Sequence, residues 1–158
     1  MLPDPLIPLL VVSPIILAGA WTDLRLMRIP DALVIMALFV FAASAPFLGW
    51  QDTSLRLFGG VCAFVLCFAL FGFRIIGGGD AKLFPVLVLF IPPAVYAEFM
   101  LVFGISLGVS MAALLTLRRM TVTAGSLWKG FARQSGIPMG VAFALATVSF
   151  LGLAYAGV

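Results

Sequence analysis

The run Leu83-Phe84-Pro85-Val86-Leu87-Val88-Leu89-Phe90-Ile91-Pro92-Pro93-Ala94-Val95-Tyr96 continues to Leu117 with a single charge, Glu98, and its reading decides the fold. A membrane-spanning helix needs about 20 mainly apolar residues, so the stretch 83–117 is too long for one. The proline pair removes backbone donors and disfavours helix in Ile91, which divides the stretch into two spans. Outward from it lie further apolar runs at 6–21, 32–50, 57–73 and 137–158. Six spans result, and the expected fold is all-α: one polytopic membrane domain over residues 1–158. Composition agrees, because 64% of the 158 residues are hydrophobic and 9% are charged, against roughly 25% charged in a soluble protein. Nine Lys and Arg with six Asp and Glu cannot cover a water-soluble surface of this size. The lipid bilayer is therefore the first partner. The start Met1-Leu2-Pro3-Asp4-Pro5 lacks the basic residues and small-residue cleavage site of a secretory signal, so the first span is expected to be retained.

Charge gives the spans an orientation. The connections before the second, fourth and sixth spans carry Arg25, Arg28, Arg74, Lys82, Arg118, Arg119, Lys129 and Arg133, eight of the nine cations. The opposite face has Arg56 with Asp4, Asp52 and Glu98. The excess of cations marks the cytoplasmic side, which places both termini on the non-cytoplasmic side. The cations are too scattered to form a stripe for nucleic acid, and no such partner is expected. The polar segment 118–136, with Trp128, reads as a topology signal in contact with anionic headgroups. Gly104, Gly108 and Ala112 suggest a close helix contact in the fifth span.

The fourth span holds only nine residues from Leu83 to Ile91, about 13 Å of helix against a hydrocarbon core of roughly 30 Å. Either the helix continues, kinked, through the prolines, or the preceding Gly77-Gly78-Gly79-Asp80 is drawn toward the membrane. Irregular backbone at that depth is tolerated only beside protein or a water-filled cavity, so the glycines mark a candidate cavity.

The chain has no histidine, which removes Ser-His-Asp and Cys-His catalysis and every His-ligated metal. Cys62 and Cys67 lie five residues apart in an apolar run, about 140° apart around a helix, and read as small core residues. No metal and no cofactor are expected. Any enzymatic work falls to carboxylates. Asp23, in Trp21-Thr22-Asp23-Leu24-Arg25-Leu26-Met27-Arg28-Ile29-Pro30-Asp31, and Asp80 are separated by two spans and emerge on one face. The plainer reading of Asp23 is a salt bridge to Arg25 or Arg28, and that of Asp80 is a helix N-cap after a flexible loop. Three glycines permit positive φ and close backbone approach, which raises Asp80 above that reading. Lys82 is read as a membrane-edge anchor with a secondary claim on the site.

These motifs, in this order and over essentially the whole length, resemble the type IV prepilin peptidase family, membrane aspartic proteases with a Gly-x-Gly-Asp motif. The match is to the short form that serves tight-adherence (Flp-type) pili. Ile137-Pro138-Met139-Gly140 is similar to the family's Ile-Pro-Tyr-Gly segment. The resemblance implies that Asp23 and Asp80 are catalytic, and that Gly77, Gly78, Gly79, Lys82, Asp31, Pro138 and Gly140 bind substrate or support the loops. It implies a prepilin-like substrate with a short basic leader joined to a hydrophobic helix, cut after a glycine at the cytoplasmic face of the inner membrane. Asp31 stands where the family has asparagine, adding an acid to the first motif, and Met139 replaces its tyrosine. The cysteine-rich, zinc-binding region of longer relatives is missing from this sequence, so cleavage without methylation is expected. Two other readings are a small cation or proton carrier using Asp23 and Asp80, and a non-catalytic pilus-assembly subunit. Transport would favour acids at the bilayer midplane and internal repeats, neither of which the sequence offers. The sequence sets no oligomeric state.

Overall fold

The computed structural model describes residues 4–120 and 139–157. These are helical without any strand: α1 (Ile7–Leu26), α2 (Asp31–Leu48), α3 (Trp50–Gly72), α4 (Gly78–Leu89), α5 (Tyr96–Met120) and α6 (Gly140–Ala156), with short 3-10 turns at Asp4–Leu6 and Pro93–Val95. Four stretches, Ile7–Leu26, Asp31–Leu48, Trp50–Gly72 and Pro93–Leu117, are long and apolar enough to cross a membrane. Helices α4 and α6 are apolar but shorter.

Local chemistry sets the boundaries. Helix α1 stops where Met27 turns left-handed at φ 54° and donates its N–H to Asp23 O at 2.8 Å. Pro30, extended at ψ 136°, then opens α2 with Asp31 in its first turn, where a negative charge suits the helix dipole. The long apolar run divides at the prolines as its sequence predicts: α4 ends at Leu89, and Pro93 starts the turn leading into α5. Of the two ways to account for a short fourth run, the first does not hold. The helix does not run on through Pro92 and Pro93; it reaches back, so that Gly78, Gly79 and Asp80 form its first turn.

At 12 residues, α4 is about 18 Å long. It survives at that length because it is sheathed by protein. Leu83, Leu87, Phe90 and Ile91 are fully buried, together with Leu9, Val12 and Ile16 of α1 and Ala146 of α6. Helix α4 packs on α2 and α3, while α6 packs on α1 and α5. A helix that ends inside protein leaves carbonyls needing donors, and Arg56 of α3 supplies one. Its side chain is fully buried, with Nη1 donating to Phe90 O at 2.9 Å, Nη2 to Pro5 O at 2.9 Å and Nε to Asp52 Oδ2 at 2.8 Å.

The outer surface is apolar, as lipid requires: Phe39, Phe47, Trp50, Phe58 and Phe73 are all at least 70% exposed. Two expectations change here. Cys67 is buried, but Cys62 is exposed on α3 rather than in the core. Gly104 and Gly108 have open space where a Cβ would go, so they make no close contact within the described chain.

Candidate active site

Both aspartates singled out by sequence lie at helix ends around one cavity. Asp23 occupies the last turn of α1 and is 6% exposed. Asp80 occupies the first turn of α4. The cavity, about 910 Å³, is lined by both carboxylates, by Asp31 and Lys82, by Gly77, Gly78 and Gly79, and by Met139. Every site residue named from the sequence therefore borders it or touches a residue that does, except Pro138, which lies outside the described residues. So do Trp128, Lys129 and Arg133.

Asp23 forms no salt bridge to Arg25 or Arg28. Its Oδ2 accepts the backbone N–H of Gly140 at 2.8 Å. That amide belongs to the first turn of α6, where N–H groups point outward and the helix dipole favours negative charge. The approach is close enough to require glycine: a Cβ on Gly140 would stand 2.9 Å from Asp23 Cβ and 3.2 Å from Ala20 Cα. Thus the last helix is fastened directly to the first acid, 117 residues earlier in the chain.

The setting of Asp80 is different. It precedes the apolar run that begins at Leu83, and its Oδ1 is buried without a hydrogen-bond partner among the described residues. Burial, with the Asp23 carboxylate adding to it, pushes the Asp80 carboxyl up from 3.8 to about 7; the Gly77 amide acts the other way. The three glycines work by closeness alone, because none of them adopts positive φ. A Cβ on Gly79 would meet Ile29 Cβ at 3.2 Å, so this glycine lets the α1–α2 connection lie against the start of α4. Nor is Asp80 an N-cap, since Gly77 holds that position and Asp80 is the third helical residue.

Asp31 and Lys82 pair with each other at 2.8 Å across the rim, both side chains more than half exposed. Lys82 thus joins the two acidic motifs instead of only anchoring the membrane edge. An exposed pair of this kind contributes at most about 1 kcal/mol, so its importance is positional. Although three aspartates line the cavity, no group of three His, Cys, Asp or Glu among the described residues converges as a metal site.

A sequence profile of the type IV leader peptidase family matches residues 10–157. The chain belongs to that family. No curated protein and no solved structure matches it. Membership makes the protein a peptidase, and its apolar helices suit a membrane.

Some of this peptidase's cavity residues escaped the sequence reading. Ile29 packs at Gly79, and Arg74 lines the rim with a left-handed backbone at φ 60°. Arg74 stood in the sequence only as a topology charge, and its place beside the glycine motif was the available signal. Met139, which stands where the family has tyrosine, lines the cavity as well.

Proposed function

We propose that this protein is an aspartic endopeptidase that removes the short basic leader of prepilin-like, Flp-type membrane proteins, with Asp23 and Asp80 activating water between them. The observation that carries the reading is one cavity bordered by two carboxylates from different helices, of which one has an amide donor and the other a buried oxygen with no partner among the described residues. Like charges in such a setting share one proton. Asp80 holds it and polarises the scissile carbonyl; Asp23, its charge met by the Gly140 amide, takes a proton from water. The water attacks the carbonyl carbon, and the proton then passes to the leaving amine. Apparent titration values belong to the pair.

In this reading all six apolar runs cross the membrane, with α4 sheathed by the others, both termini outside and the cavity opening to the cytoplasm. The excess of cations at the Asp23 and Asp80 end supports that orientation. The test is cleavage of a purified prepilin substrate by the full chain in detergent. Asp23→Asn and Asp80→Asn should each lose at least about a thousandfold in kcat while remaining folded, and Asp31→Asn should retain cleavage. Undiminished cleavage by Asp80→Asn would overturn the assignment, and loss in Asp31→Asn without loss in Asp23→Asn would move the first catalytic acid.

A further inference from the structure

The lip of the cavity carries charge that the chemistry at its floor does not use. Arg28, in the α1–α2 connection, and Arg74, in the turn after α3, both line it and both are exposed. The ion pairs formed among the described residues are Arg56 with Asp52 and Lys82 with Asp31, so neither arginine is neutralised by an acid there. Lys82 and Asp31 cancel each other, and the two site carboxylates, sharing a proton, hold one negative charge between them. The arginines outweigh that charge and stand outside it, since Asp23 is buried and Asp80 has a buried oxygen.

The backbone singles out Arg74. Its turn closes with Arg74 donating to Phe71 O and Ile75 donating to Leu70 O, both at 2.9 Å, and leaves Arg74 left-handed at φ 60°. A residue with a Cβ is strained there, and glycine is the usual occupant; Gly157 takes the equivalent position at the end of α6. Among the described residues only Met27 and Arg74 are non-glycine residues with positive φ, and both line this cavity. An arginine kept against the preference of its backbone, beside a catalytic cavity, points to a use for its side chain.

We propose that Arg28 and Arg74 form a repulsive collar that sets how far the basic residues of the substrate's leader must lie from the scissile bond. This rests on the peptidase reading and adds a rule of specificity to it. A basic leader brings cations to a cationic lip, and like charges brought together cost affinity. The leader is accepted only when the stretch inside the lip is free of lysine and arginine. Size sets the length of that stretch. A space of about 910 Å³ is about 12 Å across if round, and an extended chain covers about 3.3 Å per residue, so about three residues separate the lip from the carboxylates. A lysine two residues before the cut falls inside the arginines, and one six residues before it falls outside.

Two measurements on the full chain in detergent test this, with single-span peptide substrates that differ only in whether one lysine stands two or six residues before the scissile bond. In the first, kcat/KM is compared. Wild type should favour the distant lysine by at least about tenfold. So should Arg25→Gln, which removes an exposed cation of α1 that does not line the cavity. The ratio should fall toward one in the double variant Arg28→Gln, Arg74→Gln, and should shrink in wild type as salt is raised. Equal cleavage of both substrates by wild type, or an unchanged ratio in the double variant, overturns the collar. Arg74→Gly separates recognition from folding: it relieves the left-handed strain, so its Tm should be at or above that of wild type while its ratio drops. A lower Tm with an unchanged ratio would overturn the role of Arg74. The second measurement needs no turnover. Asp23→Asn protein should bind the distant-lysine peptide at least about tenfold more tightly than the near-lysine one, and equal Kd values overturn the proposal. Failure of the wild type to cleave any substrate would instead count against the peptidase reading, with the binding ratio still deciding the collar.

Discussion

At Asp80, proton affinity and stability are coupled. The unfolded chain releases this proton near 3.8, whereas the folded site keeps it to about 7. The folded form therefore binds more protons through that interval, and stability from this group is complete below 3.8 and is lost as pH rises through about 7. Thermal unfolding in detergent should give a lower Tm at pH 8 than at pH 5, and Asp80→Asn should flatten that fall. Asp23→Asn removes the secondary cause and leaves burial, so its fall should be smaller and complete at lower pH. An equal pH slope in Asp80→Asn and wild type would show that another group carries the dependence. Both aspartates were legible in the sequence because scarce charges at span ends stand out. Their different surroundings were not, since the donor to Asp23 is a backbone amide, and backbone groups carry no sequence signal of their own.

Among the elements, α4 shows how far pattern reading reaches and where it stops. The proline pair sets its end, while the glycine motif, read as irregular backbone, forms its first turn instead. What sequence could not supply is the partner that makes a buried helix end tolerable. Arg56 read as the lone cation on the wrong face, yet it is a fully buried clamp on carbonyls 34 and 51 residues away. Distances of that order in the chain leave no periodic trace. Leaving a buried carbonyl without its donor costs about 1–3 kcal/mol, and Arg56 serves Phe90 O and Pro5 O. Arg56→Leu should accordingly lower Tm by several degrees or more and raise protease sensitivity. Arg56→Lys, able to make only part of the fork of hydrogen bonds, should fall between. A Tm within a degree of wild type for Arg56→Leu would mean that water or lipid headgroups satisfy Phe90 O and Pro5 O equally well.

For the whole molecule, the proposed orientation rests on where the charges lie. With Arg56 consumed by Asp52 and two carbonyls, it no longer counts as an exposed charge opposing the cationic end. That end carries Arg25, Arg28, Arg74 and Lys82, while the α2–α3 junction at the other end exposes Trp50 and Gln51. That distribution is the support for the proposed orientation, with the cavity end cytoplasmic. Labelling with a membrane-impermeant maleimide checks it in a Cys62→Ser, Cys67→Ser background. Asp31→Cys should react only from the cytoplasmic side and Gln51→Cys only from the opposite side. Because Asp31 borders the same cavity as Asp23 and Asp80, its accessibility also reports where that cavity opens. Reaction of Asp31→Cys from outside would invert the orientation and put the carboxylates out of reach of a cytoplasmic leader, while labelling of both positions from one side would mean that α2 does not cross the membrane.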